Sequence, residues 1–192
     1  MTDSEYKIVP LHRRRDLVNE CCTLLNAEWP RSETARLKSL NVSCDNFPTC
    51  LILINTEDKV LGHCKISLIS RLSHSCFIES FVIDYHNRSQ GLGSRLLKGA
   101  EEYIAKRGLK SIYLITRGQE VFYFKNGYDV CDPIKVHNFT EFISPSSSNN
   151  NRGKSKNKNT NFGPPPPPMP NLQIPKIFDI MISRRTYMVK KL

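Results

Sequence analysis

Two glycines follow a strand-like run and open a helical pattern, an arrangement that can bind phosphate. The segment consists of Arg88, Ser89, Gln90, Gly91, Leu92, Gly93 and Ser94. Gly91 and Gly93 allow a tight turn and leave backbone N–H groups free at the helix start. With the positive end of the helix dipole, these donors favour an anion such as a pyrophosphate, and Arg88 adds positive charge at the rim. An ordinary strand-to-helix turn is the alternative.

Better-known phosphate-binding loops do not fit this segment. It lacks the Gly-Lys-Ser/Thr triplet that a P-loop needs. A dinucleotide-binding turn needs a third glycine, and Leu96 occupies that position. The segment therefore predicts a phosphate cradle of another kind.

Glu79 is the candidate general base. It lies in a strand predicted from Cys76 to Asp84, on the face that alternation assigns to Phe77, Glu79, Phe81 and Ile83. A carboxylate on an otherwise apolar face needs a partner or a function. Such a carboxylate can act as a general base through a water molecule. A structural salt bridge is the alternative for Glu79, and His74 is a second candidate base that equally fits a loop.

The surrounding patterns predict a mixed α/β fold. A β-prone run, an amphipathic helix and a second β-prone run form a right-handed crossover, so these strands are parallel. Two earlier strands form an antiparallel hairpin. The predicted helices are Leu11–Trp29 (stopped by Pro30), a short helix capped by Ser32, Leu92–Gly108 and Glu120–Asn126. The predicted strands are Cys50–Asn55, Val60–Ile69, Cys76–Asp84, Ser111–Thr116 and an extended stretch Tyr128–Phe142.

Charge and composition divide the chain into three predicted parts. The net charge is +10, yet residues 144–192 hold nine Lys/Arg against one acid, leaving nineteen against seventeen in residues 1–143. We therefore expect a nearly neutral core (1–143), a disordered basic and proline-rich insertion (144–172) and a C-terminal strand region completing the sheet (173–192). Such lopsided charge does not argue for a nucleic-acid-binding fold.

The proline run from Pro164 to Pro170 favours a polyproline II helix. Such a preformed helix loses little entropy when it docks into an aromatic groove. Profilin, SH3 and WW domains are all compatible readers, and a simple spacer is the alternative.

Cysteine usage bears on metal and compartment. The seven cysteines include no C-x-x-C pair and no spacing typical of a zinc site. Reduced thiols in a cytosolic, metal-free protein are the expectation. No run of about twenty apolar residues exists, and the first ten residues lack a secretory pattern, so no membrane role is expected.

At this point the chain resembles a known superfamily. Arg88 to Gly93 is similar to the R/Q-x-x-G-x-G/A signature of the GNAT acyl-CoA N-acyltransferases, and Tyr123 to Tyr128 resembles their second landmark. The resemblance implies acetyl-CoA as cosubstrate and Tyr123 as the acid that protonates the leaving thiolate. It also implies that the backbone of Val82, Ile83 and Asp84 holds the pantetheine arm, and that Arg88 to Ser94 holds the pyrophosphate.

A narrower resemblance concerns the acceptor. The Glu28–Ser32 segment, the Arg36–Leu40 helix and the proline-rich insertion look like the actin N-terminal acetyltransferases of the NatH type. This resemblance implies an acidic actin N-terminus as substrate and profilin as partner. The expected substrate-binding residues are Trp29, Arg31, Arg36, Asn41 and Thr116. Acetylation of a small amine or a lysine, and a non-catalytic polyproline adaptor, remain the alternatives.

Overall fold

The computed structural model describes residues 5–134 and 185–192, which form a seven-stranded sheet with helices on both faces. The strands are β1 (Tyr6–Pro10), β2 (Thr49–Asn55), β3 (Val60–Leu68), β4 (Ser75–Ile83), β5 (Ser111–Thr116), β6 (Asp129–Val130) and β7 (Thr186–Lys191). The helices are α1 (Val18–Glu28), α2 (Glu33–Asn41), α3 (Leu92–Ala105) and α4 (Glu120–Lys125).

The sheet order is β1-β2-β3-β4-β5-β7-β6. Strands β1 to β4 are antiparallel neighbours, β4 and β5 are parallel, and β5, β7 and β6 are antiparallel. Helix α3 makes the crossover between the two parallel strands. The predicted mixed α/β sheet is confirmed.

Each face of the sheet buries its own apolar cluster. Below α3, side chains such as Leu96 and Ile104 pack with Ile66 and Ile78 of the sheet. On the opposite face, α1 packs onto a second cluster whose members include Cys21, Leu25, Ile52, Ile54, Val60 and Val82. The apolar faces predicted for α3 and α1 therefore pack against opposite faces of one sheet.

Three details differ from the sequence-based predictions. The edge strand β1 was not predicted, because it is only five residues long and alternates little. The predicted helix Leu11–Trp29 begins with two 3-10 turns, since Arg14 (φ −131°, ψ 62°) interrupts them and α1 proper starts at Val18. In the predicted extended stretch Tyr128–Phe142, only β6 forms a strand among the described residues.

The whole predicted insertion (144–172) and the apolar residues 177–182 lie outside the described residues. The three predicted domain boundaries therefore stay predictions. Strand β7, however, lies between β5 and β6, so residues 186–191 contribute an inner strand next to the edge of the sheet.

Candidate active site

The two parallel strands pair over only part of their length. Ser75–Ile78 of β4 pairs with Ser111–Leu114 of β5, and both strands continue beyond the last pair. Ser80 has a left-handed backbone (φ 53°), and the register against β3 shifts at this point. This β-bulge bends β4 and ends its pairing with β5. The carboxyl-terminal ends of the two parallel strands are therefore unpaired, and we call the gap between them the cleft.

The same bulge overturns the predicted alternation of β4. Ile78 and Ile83 both pack in the α3-side cluster, whereas Val82 packs in the α1-side cluster. The extra residue at the bulge reverses which face of the sheet each later residue of β4 lies on. Glu79 and Ile83 were predicted to share a face, and in the structure they lie on opposite faces. Strict period-two counting fails here because it assumes that every residue is extended.

Helix α3 begins at the open end of this cleft. Gly91 is its N-cap, with a left-handed backbone (φ 79°), and the Arg95 N–H donates to the Gly91 carbonyl at 3.1 Å. The N–H groups of the first turn, from Leu92 to Ser94, therefore have no partner within the helix. They are the donors on which the predicted anion cradle depends, at the end of the helix that carries positive dipole charge, and their role in binding phosphate stays a prediction.

Gly93 is required for close packing as well. A Cβ at this position would lie 3.3 Å from the ring of Phe122, which is tighter than ordinary contact. The missing side chain lets α4 approach the start of α3 directly. The two sequence landmarks of the predicted site are thus neighbours in space.

Arg88 is held by its own chain beside the cleft. Its Nε donates to the Ile83 carbonyl at 3.0 Å, and its Nη2 lies 2.5 Å from Oε2 of Glu28. The guanidinium also lies over the Tyr85 ring, 5.5 Å from the centroid. Arg88 is therefore oriented before any anion binds. Glu28, sixty residues away in sequence, was not predicted as its partner.

The backbone predicted to contact pantetheine is partly used within the fold. The Asp84 N–H donates to the Leu61 carbonyl at 2.8 Å, and the Ile83 carbonyl accepts from Arg88. Val82 and Ile83 pair with β3 on one side, while the β5 side of β4 is unpaired at this level. The backbone groups of Val82, Ile83 and Asp84 are therefore not equally available to pantetheine. Only those on the unpaired edge of β4 face the cleft.

Tyr123 lies on α4 within an aromatic group. Its ring centroid is 5.0 Å from that of Phe122, 5.7 Å from Tyr128 and 6.2 Å from Phe81. Only 7% of the residue is exposed, and this burial raises the pKa of the Tyr123 phenol well above its usual value. The phenol is therefore protonated at physiological pH, as an exposed tyrosine would also be, and a role for Tyr123 as general acid stays a prediction.

Glu79 has two polar partners on the neighbouring strand β3. Ser67 Oγ donates to Glu79 Oε1 at 2.7 Å, and Lys65 Nζ lies 3.3 Å from the same oxygen. The salt bridge that the sequence left open is thus present, and a role for Glu79 as base stays a prediction. Lys65 and Ser67 escaped the sequence analysis because their contact depends on the register of β3 against β4. His74 lies before β4, near the Gly108 carbonyl, at the end opposite the cleft.

The predicted substrate-binding residues divide into two places. Arg36 is buried, and its guanidinium donates to Asn26 Oδ1 (3.1 Å) and to the Trp29 carbonyl. Burial lowers the pKa of Arg36 from its usual value. Trp29 itself is 43% exposed, so it does not cap the core. The pair joins the end of α1 to α2, and Arg31 is exposed close by in sequence.

The other two predicted substrate residues lie apart from this pair. Asn41 is the last residue of α2, where its Oδ1 accepts from Arg15 at 3.2 Å. Thr116 is buried at the end of β5 and pairs with Thr186 of β7. The structure therefore brings Trp29 and Arg36 together but leaves Asn41 and Thr116 at separate positions.

Residues 5–134 and 185–192 offer neither a metal-binding cluster nor a membrane-spanning helix. These residues contain no cluster of His, Cys, Asp and Glu that could hold a metal ion. None of their helices has the length and apolar content needed to cross a membrane.

Replacing Gly91 by alanine tests the anion cradle against a matched control. Gly91 (φ 79°) and Gly108 (φ 75°) are both left-handed, and an added Cβ would meet nothing within 4 Å at either position. We expect Gly91→Ala and Gly108→Ala each to lower the free energy of unfolding by about 1–2 kcal/mol. Only Gly91→Ala should also weaken coenzyme A binding, by about tenfold, because it reorients the N–H donors. Calorimetric titration measures the coenzyme A affinity of both variants. Equal affinity in the two would contradict the cradle.

A mixed sheet whose parallel strands part beside a glycine-opened helix is the architecture of acyl-CoA N-acyltransferases. Residues 13–128 match the model of the Acetyltransferase (GNAT) family, and the chain belongs to that family. A GNAT acetyltransferase from Staphylococcus aureus Mu50 has a TM-score of 0.59 at 14% identity, covering 97% of this chain and 98% of that one. PaiA N-acetyltransferase from Thermoplasma acidophilum, in complex with coenzyme A, has a TM-score of 0.52 at 17% identity, covering 71% and 95%.

The chain is also similar to N-alpha-acetyltransferase 80 of Mus musculus. The two are 35% identical over 133 residues, which are 66% of this chain and 42% of the mouse protein. The chain thus spans less than half the length of that relative. The solved structures share the fold at low identity, so their own substrates say nothing about this chain.

Proposed function

We propose that this acetyltransferase acetylates the α-amine of an acidic protein N-terminus, and that processed actin supplies that N-terminus. The observation that carries the transfer itself is the cleft between β4 and β5, with the N–H donors of α3 at its mouth. The choice of an α-amine is supported by the similarity to a protein named N-alpha-acetyltransferase.

In the proposed reaction, the acceptor amine forms a C–N bond with the acetyl carbonyl as the C–S bond of acetyl-CoA breaks. Glu79 takes the proton released by the amine, through a water molecule. Tyr123, which its buried environment keeps protonated, returns a proton to the departing thiolate. Acetyl-CoA supplies the activated acyl group.

Direct transfer is favoured over an acyl-enzyme intermediate. All seven cysteines are free. Burial raises the pKa of Cys76, on β4, and of Cys50, on β2, to about 12 each. At physiological pH these side chains remain thiols, which are poor nucleophiles. Cys76 is the one cysteine on the two strands that border the cleft, β4 and β5, so neither strand offers a thiolate that competes with the acceptor amine.

Selectivity for acidic residues is proposed to come from the junction of α1 and α2. Arg36 keeps a fixed orientation because Asn26 and the Trp29 carbonyl hold its guanidinium, and Arg31 is exposed next to Trp29. A preorganised guanidinium recognises carboxylates through charge-assisted hydrogen bonds at little entropic cost. The lowered pKa of Arg36 leaves it charged, since arginine starts from a very high value.

Peptide competition tests the proposed acceptor. We expect kcat/KM for peptides beginning with Asp or Glu to exceed that for matched Ala peptides by at least about tenfold, the value of one charge-assisted hydrogen bond. N-terminally blocked peptides of the same sequence with one internal lysine are the control. Mass spectrometry identifies the acetylated nitrogen. Turnover of the lysine control without turnover of acidic peptides would favour the alternative, a lysine or small-amine acetyltransferase.

The proline run at 164–170 is proposed to bind profilin and so to bring actin monomer to the active site. It lies outside the described residues, so this step depends on sequence alone. The test measures acetylation of short peptides and of actin–profilin by the full chain and by a variant that lacks residues 161–171. Deletion should spare short peptides and slow acetylation of actin–profilin, whereas equal loss on both would indicate a structural role. The cytosol is the proposed compartment, which free thiols support.

A further inference from the structure

His63 occupies a buried position directly across from the bulge in β4. Only 1% of the residue is exposed. Its Nδ1 lies 2.9 Å from the carbonyl oxygen of Ser80, the residue with the left-handed backbone. The register of β3 against β4 shifts immediately after His63, whose partner is Val82, while Lys65 pairs with Glu79. The imidazole therefore contacts β4 at the point where its geometry departs from a regular strand.

The protonation state of His63 fixes the direction of this hydrogen bond. Burial lowers the pKa of His63 to about 4, so the ring is neutral at physiological pH. A carbonyl oxygen only accepts, so Nδ1 carries the proton and donates it to Ser80. Nε2 is then an unprotonated acceptor, and it has no partner among the described residues. Burying such a group costs stability, and an apolar side chain would avoid that cost.

We propose that His63 is a positioning residue for acetyl transfer, which holds the Ser80 carbonyl and thereby keeps β4 bent away from β5. A non-glycine residue disfavours the left-handed conformation, so the bulge needs an external restraint. Without the hydrogen bond, β4 can straighten and extend its pairing with β5 beyond Ile78 and Leu114, the last pair of the two strands. That rearrangement narrows the cleft and turns Glu79. This role rests on acetyl transfer taking place at that cleft.

Two substitutions at His63 separate its hydrogen bond from its bulk. His63→Leu removes the donor, and we expect about tenfold weaker coenzyme A binding, the usual cost of one buried unsatisfied acceptor. His63→Asn retains an N–H near the position of Nδ1, and its affinity should stay within about threefold of the wild type. Calorimetric titration with coenzyme A and the KM for acetyl-CoA report the effect.

A change at Ser80 provides the decisive rescue. Glycine adopts a left-handed backbone without penalty. Adding Ser80→Gly to His63→Leu should therefore return coenzyme A affinity to within about threefold of the wild type. Relief of the left-handed strain also raises overall stability, so the coenzyme A affinity of each variant is compared with its own free energy of unfolding, and recovery of affinity at unchanged stability identifies the bulge. His12→Leu is the matched control, since His12 contacts Ser43 and Asp45 near the opposite end of α3 and should leave coenzyme A affinity unchanged.

The outcomes distinguish this role from the proposed function. Wild-type affinity in His63→Leu, or a double variant as weak as His63→Leu, would overturn the role of His63. Equal weakening in His63→Asn and His63→Leu would do the same. If the wild-type protein itself showed no saturable binding of coenzyme A, the proposed function would fail instead.

Discussion

Tyr123→Phe should lower kcat by about 100-fold, the lower range for loss of a general acid, while the Kd for coenzyme A stays within twofold. The phenylalanine ring preserves the contacts of Tyr123 with Phe81, Phe122 and Tyr128. Only the hydroxyl is lost, and with it the proton that burial keeps on the phenol. The thiolate must then leave unprotonated or take its proton from water. Single-turnover kinetics with saturating acetyl-CoA measures the chemical step without interference from product release.

Tyr128→Phe is the matched control for this experiment. Tyr128 is 1% exposed and packs against Tyr123 in the same aromatic group. Its loss of one buried hydroxyl should affect stability and leave the transfer rate within about threefold of the wild type. A full transfer rate in Tyr123→Phe, or equal losses in both variants, would assign Tyr123 to packing rather than to proton transfer.

Features encoded by neighbouring residues could be predicted from the sequence. The glycine turn of α3 is one example, because Gly91 and Gly93 determine the local backbone and the following apolar stripe determines the helix. The mixed sheet is another, since its strands are short apolar runs and the crossover through α3 has a fixed hand. These inferences need no knowledge of which strands touch.

Features that depend on register could not be predicted. The bulge at Ser80 lacks the glycine that usually marks a left-handed residue, so the sequence gives no local signal for it. The Arg88–Glu28 pair spans sixty residues, and the partners of Glu79 become visible only once β3 is aligned with β4. Arg36 resembles a solvent-facing helix residue, and its burial depends on how α1 meets α2. The candidate site residues could therefore be named from local sequence, whereas the partners that orient them are distant in sequence.

Glu79→Gln should lower kcat for an acidic peptide by about 100-fold at pH 7, and this defect should shrink as the pH rises. The reason lies in the substrate, whose α-amine has a pKa of about 7.7–8.0. Above that range most of the amine is already deprotonated, so the contribution of an enzymatic base falls. A pH–rate profile from 6.5 to 9 for both enzymes measures the convergence.

A salt-bridge role for Glu79 gives a different pattern. Lys65 Nζ lies 3.3 Å from Glu79 Oε1, so Lys65→Met breaks the same ion pair while leaving the carboxylate in place. If the ion pair only supports β3 and β4, both variants should lose similar stability, and their rate defects relative to the wild type should be similar and should not change with pH. If Glu79 is the base, Lys65→Met should keep kcat within about threefold of the wild type, because Ser67 still donates to the carboxylate at 2.7 Å. Comparable defects in the two variants at every pH would therefore remove Glu79 from the mechanism.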